Sequence, residues 1–226
     1  NSPPLHYIWG NHAILWMGAS IGNPILCATA LRISMRYNNL EFLDRYGFNL
    51  EGLRSFARQT YKLPPTGAYT KTKKDGVWSR DDATKMTKTL LILEVKLTLQ
   101  YLRKAIKIQG EIDYGEEERR FTRLLGLIPT GVEETPESFE AAMREHPLYS
   151  DVYFPTVNPD APEELTQEEQ TLMDDIVRQF TTLPKFQDDI RWMFWKGEMY
   201  RVVDNALYYH AALPTTENME LYEIKG

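Results

Sequence analysis

The 226-residue chain carries 26 Lys and Arg against 32 Asp and Glu, a formal net charge of −6, with 42% hydrophobic and 26% charged residues. These proportions belong to an ordinary globular protein with room for one sizeable core, alone or with an appendage. They provide no basic face dense enough to track a polyanion, which excludes nucleic acid as a partner.

A single cysteine, Cys27, lies in an apolar run and cannot form an internal disulfide, which fits a reduced compartment. The chain opens at Asn1 without an initiator Met or a signal-peptide pattern, so an interior fragment or a trimmed product is expected.

A short apolar strand, Tyr7-Ile8-Trp9, runs into Gly10 and then Asn11-His12. Glycine permits a sharp turn at the carboxyl end of a strand, where open α/β sheets place their chemistry. Ala13 to Leu31 is uncharged and formally long enough to cross a membrane. Gly18, Ser20, Gly22, Asn23, Pro24 and Thr29 interrupt it, and Pro24 should break or kink a helix, so a buried core segment is expected and no membrane span.

From Pro24 to Tyr37 the helical spacing is only partial, with Arg32 and Arg36 four apart on one face, where they could clamp a phosphate group bidentately or simply face solvent. Asn38-Asn39 stops that helix. Leu40 to Tyr46 reads as a short helix closed by Gly47, and Asn49 can cap a following helix that buries Leu50, Leu53, Phe56, Ala57 and Tyr61. Pro64-Pro65 ends it, and Thr66 to Arg80 reads as an exposed loop.

Asp81 or Asp82 opens the clearest helix. Met86, Leu90, Leu93, Leu97 and Tyr101, widened by Leu91, Val95, Leu99 and Leu102, form a stripe that needs packing on two sides, as in a helical bundle. Gly110 to Gly126 reads as a solvated charged face and Pro136 to Glu145 as a short helix. Asp151 to Pro155 has the composition of a short strand, and Asn158 to Glu164 that of a turn.

Thr166 with Glu169 signals a capping box for a helix through Phe180, and another helix spans Leu183 to Trp195. Met199 to Val203 and Ala206 to His210 are β-rich runs around an Asp204-Asn205 turn, and Asn218 to Ile224 offers a further strand. The aromatic clusters Trp192, Phe194, Trp195 and Tyr208, Tyr209 read as core. His6 and His146 have no partner at a ligand spacing.

The fold class expected is α/β, of mixed α+β character. Residues 1–62 hold the Gly-Asn-His corner and its helices, 63–80 an exposed loop, 81–150 a helical insertion, and 151–226 helices followed by a hairpin that returns to the first sheet.

Two groups of segments resemble a known family. The first is Trp9-Gly10-Asn11-His12-Ala13, continued by Leu31-Arg32-Ile33-Ser34-Met35-Arg36-Tyr37-Asn38-Asn39-Leu40 and Tyr46-Gly47-Phe48-Asn49-Leu50. The second runs from Phe154-Pro155-Thr156-Val157 through Lys196-Gly197-Glu198-Met199-Tyr200 to Leu207-Tyr208-Tyr209-His210-Ala211. In that order they are similar to an interior portion of bacterial class III fructose-1,6-bisphosphatases of the metallophosphoesterase superfamily.

The resemblance implies part of a calcineurin-like sandwich with a large helical insertion. It implies Asn11 and His210 as metal ligands and His12 beside the leaving oxygen as a catalytic group; Arg32 and Arg36 are candidate substrate contacts from their spacing alone. It further implies two divalent ions, manganese or magnesium, and hydrolysis of the 1-phosphate of fructose 1,6-bisphosphate in gluconeogenesis. The intact protein would be cytoplasmic; homo-oligomerisation is compatible with it.

The family's D-x-H and G-D-x-x-D-R-G segments, and its closing Gly-His segment, do not occur here. Ala13 stands where an acid is usual and Ala211 where glycine is usual. Asn11 and His210 alone fall short of the count a hard-cation site needs, so the remaining segments of the same protein are expected to supply the other ligands, and the isolated chain to be inactive. Two rival readings are a degenerate relative that keeps the fold as a regulatory or binding module, and a helical interaction module built on the helix from Asp81 to Lys107.

Overall fold

The uncharged run after Gly10 forms two helices, α1 (Asn11–Ser20) and α2 (Pro24–Arg36). Between them Gly22 takes a left-handed φ of 87°, the Asn23 side chain accepts from the Leu26 N–H at 3.1 Å, and Pro24 occupies the first turn of α2. Each residue does what its chemistry favours at a helix boundary. The computed structural model describes residues 6–37, 40–62, 69–71, 76–109, 151, 153–158 and 161–211, and the expected Pro136–Glu145 helix, the charged 110–126 face and the Asn218–Ile224 strand lie outside them.

In chain order the remaining elements are β1 (Tyr7–Ile8), before α1, then α3 (Glu41–Tyr46), α4 (Glu51–Thr60) and α5 (Arg80–Gln109). After these come α6 (Gln167–Thr182), α7 (Pro184–Lys196), β2 (Gly197–Glu198), β3 (Tyr200–Val203) and β4 (Ala206–Tyr209). Gly47 closes α3 at φ 86°, and the Thr166–Glu169 capping box opens α6. Asn49 accepts from the Glu51 N–H at 3.0 Å, one residue ahead of the helix boundary at Leu50. The fold is thus mixed helix and strand, with a large helical part between strand-bearing ends.

α5 lies at the centre. From Asp82 to Leu97 only Lys85 and Val95 are less than buried, and Met86, Leu90, Leu93 and Leu97 join α2, α4 and α6 in one apolar cluster. Outside that stretch Tyr101 is exposed. Edge-on aromatic packing extends the cluster, with Phe180 4.9 Å from Phe48 and 5.5 Å from Phe186 between ring centroids.

Among the described residues of α5 four charged side chains are also buried, and each is paired. Asp82 accepts from Arg54 Nε at 3.1 Å and Arg58 Nε at 2.5 Å, both on α4. Glu94 accepts from Arg32 of α2 at 2.5 and 3.1 Å. Lys88 donates to Asp151 and to the Tyr153 carbonyl at 2.6 and 2.7 Å. Lys96 donates to Glu169 and to the Thr156 carbonyl, each at 2.6 Å. An isolated charge at such depth would be prohibitively costly, so these pairs are required once the residues are inside. The Lys88 ammonium also lies 4.8 Å from the Tyr61 ring and 4.6 Å from the Phe154 ring, close enough for cation–π attraction.

Three expectations are corrected. The described residues from Asp151 to Pro155 form no strand; the Tyr153 and Thr156 carbonyls serve as lysine acceptors, and the aromatic composition packs around Lys88. The 63–80 stretch is not uniformly exposed: Tyr69 and Thr70 are buried, and the Tyr69 hydroxyl donates to Asp151 at 2.8 Å. The aromatic clusters are not core among the described residues, since Trp192, Phe194, Trp195, Tyr208 and Tyr209 are all exposed.

β1 pairs in parallel with β2, Tyr7 opposite Gly197 and Ile8 opposite Glu198, across almost the whole chain. β3 and β4 form a hairpin, with positive φ at Asp204 and Asn205, as a tight primed turn requires. Among the described residues it is a two-stranded sheet of its own and does not make the expected return to the β1–β2 pair. No described helix is long and apolar enough to cross a membrane.

Arg32→Met should cost about 3–5 kcal/mol in denaturant unfolding because it strands Glu94, whereas Arg32→Met/Glu94→Leu should recover most of that loss. Acid provides a second check. Burial works to raise the Asp82 and Asp151 carboxyls, but hydrogen bonds, led by Arg58 for Asp82 and Lys88 for Asp151, outweigh it and hold both below the usual range. The folded state therefore sheds these protons more readily than the unfolded chain. Their contribution is present above the unfolded carboxylate pKa of about 3.9 and is lost as pH falls through the folded values. Stability should fall steeply below about pH 4, and Asp151→Asn should flatten that limb of the curve.

Candidate functional site

The strand-to-helix corner at Gly10 and the end of β4 meet. Nε2 of His210 lies 3.2 Å from Oδ1 of Asn11 across 199 positions of sequence. Asn11 begins α1 and His210 follows β4 directly, so one residue comes from a helix start and the other from a strand end. His12 follows Asn11 in the first turn of α1 and is exposed, as are Asn11 and His210.

Gly10 is needed here for space. Its φ of −99° and ψ of 172° are extended values that any residue adopts, which corrects the expectation of a sharp turn. A Cβ at Gly10 would sit 3.0–3.1 Å from three atoms of the His210 ring. The absent side chain is what lets the imidazole lie against the corner. Gly10 also offers α1 no side-chain cap, which leaves the positive end of the helix dipole beside Asn11 and His12, where it favours anions.

Two chemistries fit the Asn11–His210 contact. With a proton on Nε2, the ring donates a hydrogen bond to the amide oxygen. With the proton on Nδ1, both facing atoms carry lone pairs. An amide oxygen and an imidazole nitrogen suit a divalent cation, and two adjacent ligands at 2.0–2.1 Å from one octahedral ion lie about 3 Å apart. The 3.2 Å separation thus fits one edge of an octahedron. Among the described residues no group of three or more His, Cys, Asp and Glu could hold a metal ion, so the donor atoms that meet at this corner number two.

The arginines behave differently. Arg32 is buried and both of its hydrogen bonds go to Glu94, so its guanidinium is spent inside the core and not offered to a ligand. Arg36 is half-buried, with no hydrogen-bond partner for its Nε among the described residues, and its carbonyl accepts from the Lys71 N–H at 2.8 Å. The two do not act as one clamp. Sequence reading missed the close approach of Trp9 to Gly197 beside this corner, because nothing in either neighbourhood indicates that they touch.

Ala211 has a φ of 74°, in the left-handed region that glycine favours. The backbone beside His210 therefore takes a conformation that costs alanine more than glycine. Ala211→Gly should raise stability by about 1 kcal/mol through relief of that strain, read as a shift in the denaturant midpoint.

The family model described as firmicute fructose-1,6-bisphosphatase matches residues 1–225. Among curated relatives, a class 3 fructose-1,6-bisphosphatase of Clostridium novyi is 33% identical over 220 residues, covering 96% of this chain and 31% of the relative. One of Bacteroides fragilis is 37% identical over 216 residues, covering 93% and 30%. One of Listeria innocua is 31% identical over 230 residues, covering 100% and 33%. The chain therefore spans about a third of the length of the curated relatives it matches. No solved structure matches. On the match along its whole length, this chain belongs to the firmicute fructose-1,6-bisphosphatase family.

Proposed function

We propose that this chain forms part of a metal-dependent phosphatase that hydrolyses the 1-phosphate of fructose 1,6-bisphosphate to fructose 6-phosphate, a cytoplasmic enzyme of gluconeogenesis with a metallophosphoesterase site. The observation that carries this reading is the 3.2 Å approach of Asn11 Oδ1 and His210 Nε2. It joins the two residues that the resemblance assigns to one coordination sphere.

In this reading Asn11 and His210 hold one divalent ion, manganese or magnesium, and segments beyond this chain complete the two-metal site. When bound, the ions supply Lewis acidity and charge neutralisation for in-line attack of water on phosphorus. His12, exposed beside Asn11, would donate a proton to the departing sugar oxygen in this reading. The uncapped start of α1 adds partial positive charge where phosphate oxygens would lie. The exposed aromatic face of α7 and the hairpin supports a partner role for the remaining segments of the same protein, because an isolated two-stranded hairpin is marginal in water.

A second reading, a binding or regulatory module that has lost catalysis, is favoured by Ala13. Its side chain is buried where the resemblance places an acid, so this position no longer offers a carboxylate.

Phosphate release from fructose 1,6-bisphosphate with added manganese separates the two. The full-length protein should turn over, Asn11→Ala and His210→Ala should each lower kcat/KM by about a hundredfold or more, and the 226-residue chain alone should release no phosphate. Turnover by the short chain would refute the need for further segments to complete the ligand set, and an undiminished Asn11→Ala enzyme would refute the metal-site reading. A full-length protein that neither binds manganese nor turns over favours the module.

A further inference from the structure

Between the Asn11 corner and the hairpin that ends at His210, β1 pairs with β2, and one side chain bridges the two segments. Trp9, the residue before Gly10, donates its indole N–H to the Met193 carbonyl at 2.9 Å and its backbone N–H to the Glu198 carbonyl at 2.8 Å. Met193 O is also the acceptor for the Gly197 N–H that closes α7, so the indole shares the last-turn carbonyl of the helix that leads into β2. The ring stacks on Phe194 with centroids 5.9 Å apart and an interplanar angle of 18°.

Beneath it, Gly197 has no room for a side chain, since a Cβ there would lie 1.9 Å from Trp9 Nε1 and 2.7 Å from Met193 O. Beyond β2 the chain continues into the hairpin that ends at His210. The indole therefore joins the strand that presents Asn11 to the segment that presents His210.

We infer that Trp9, seated on Gly197, is a positioning residue for the Asn11–His210 pair. The proposal rests on the metal-site reading above. A slip of one residue between parallel strands displaces the chain by about 3.3 Å, as much as the whole Asn11–His210 separation of 3.2 Å. Loss of register between β1 and β2 would therefore remove the pair entirely, and the hydrogen bond of a bulky indole over a bare glycine resists that slip.

The test uses the full-length protein and manganese alone as probe, titrated by calorimetry into wild type, Trp9→Phe, Gly197→Ala and Asn11→Ala. Trp9→Phe keeps a ring against Phe194 but removes the indole N–H. It should weaken manganese binding about tenfold while the thermal midpoint moves by a few degrees, and turnover should recover with excess manganese. Gly197→Ala, which expels the indole from its seat, should weaken binding at least as much. In the metal-free protein, the 15N shifts of the His210 ring should move in both variants, a change that a stability loss elsewhere would not produce.

Manganese affinity unchanged in Trp9→Phe while Asn11→Ala lowers it would overturn the positioning role alone. Affinity unchanged in Asn11→Ala as well would overturn the metal-site reading and the proposal with it.

Discussion

The architecture depends on charges buried along one helix. α5 carries Asp82, Lys88, Glu94 and Lys96 in the interior, and their counter-charges come from α4, from Asp151, from α2 and from α6 respectively. Apolar packing alone would hold α5 in many rotations and translations of similar energy. Charges that must find partners at depth exclude nearly all of them, because a misplaced ammonium or carboxylate would be left uncompensated. Burying these pairs adds little net stability; what they specify is which segment lies against which turn of α5.

Two of the pairs do more than join helices. Lys88 and Lys96 each bind a carboxylate and also a backbone carbonyl of the irregular stretch Tyr153 to Thr156. Backbone groups buried outside a helix or sheet need partners of some kind, and here two ammonium groups provide them. Asp151 is shared between Lys88 and Tyr69, so the 69–71 segment is tied to the same point. Burial, followed by the hydrogen bond to Asp151, drives the Tyr69 hydroxyl pKa well up, and it remains a neutral donor. This scaffold carries α1, α2 and α6, and α6 leads into α7, whose end receives Trp9. The corner with Asn11 and the hairpin end with His210 are thus attached to a core whose register is set elsewhere.

Much of the local structure was legible in the sequence. The Thr166–Glu169 capping box, the Gly47 closure, the break before Pro24 and the Asp204-Asn205 turn all follow from residues that determine their own backbone within a few positions. The pairing of Asn11 with His210 was legible only through resemblance, since no periodicity links positions so far apart. The buried ion pairs were not legible: Lys88 and Lys96 in a helical pattern look like solvent-facing residues, and only the three-dimensional path of Asp151 and Glu169 shows otherwise. For the same reason Arg32 looked like a solvent-facing residue or a surface clamp, although Glu94 holds it in the core. The aromatics of α7 and the hairpin looked internal because bulky apolar side chains usually are; among the described residues they form an exposed face.

The central claim is that a helix-start amide and a strand-end imidazole share one divalent ion. Electron spin-echo modulation of manganese bound to the full-length protein, with histidine labelled in 15N, reports directly on ring nitrogens bonded to the ion. The account predicts a coordinated imidazole signal that drops on His210→Ala and persists in His12→Ala. A signal undiminished by His210→Ala would contradict it.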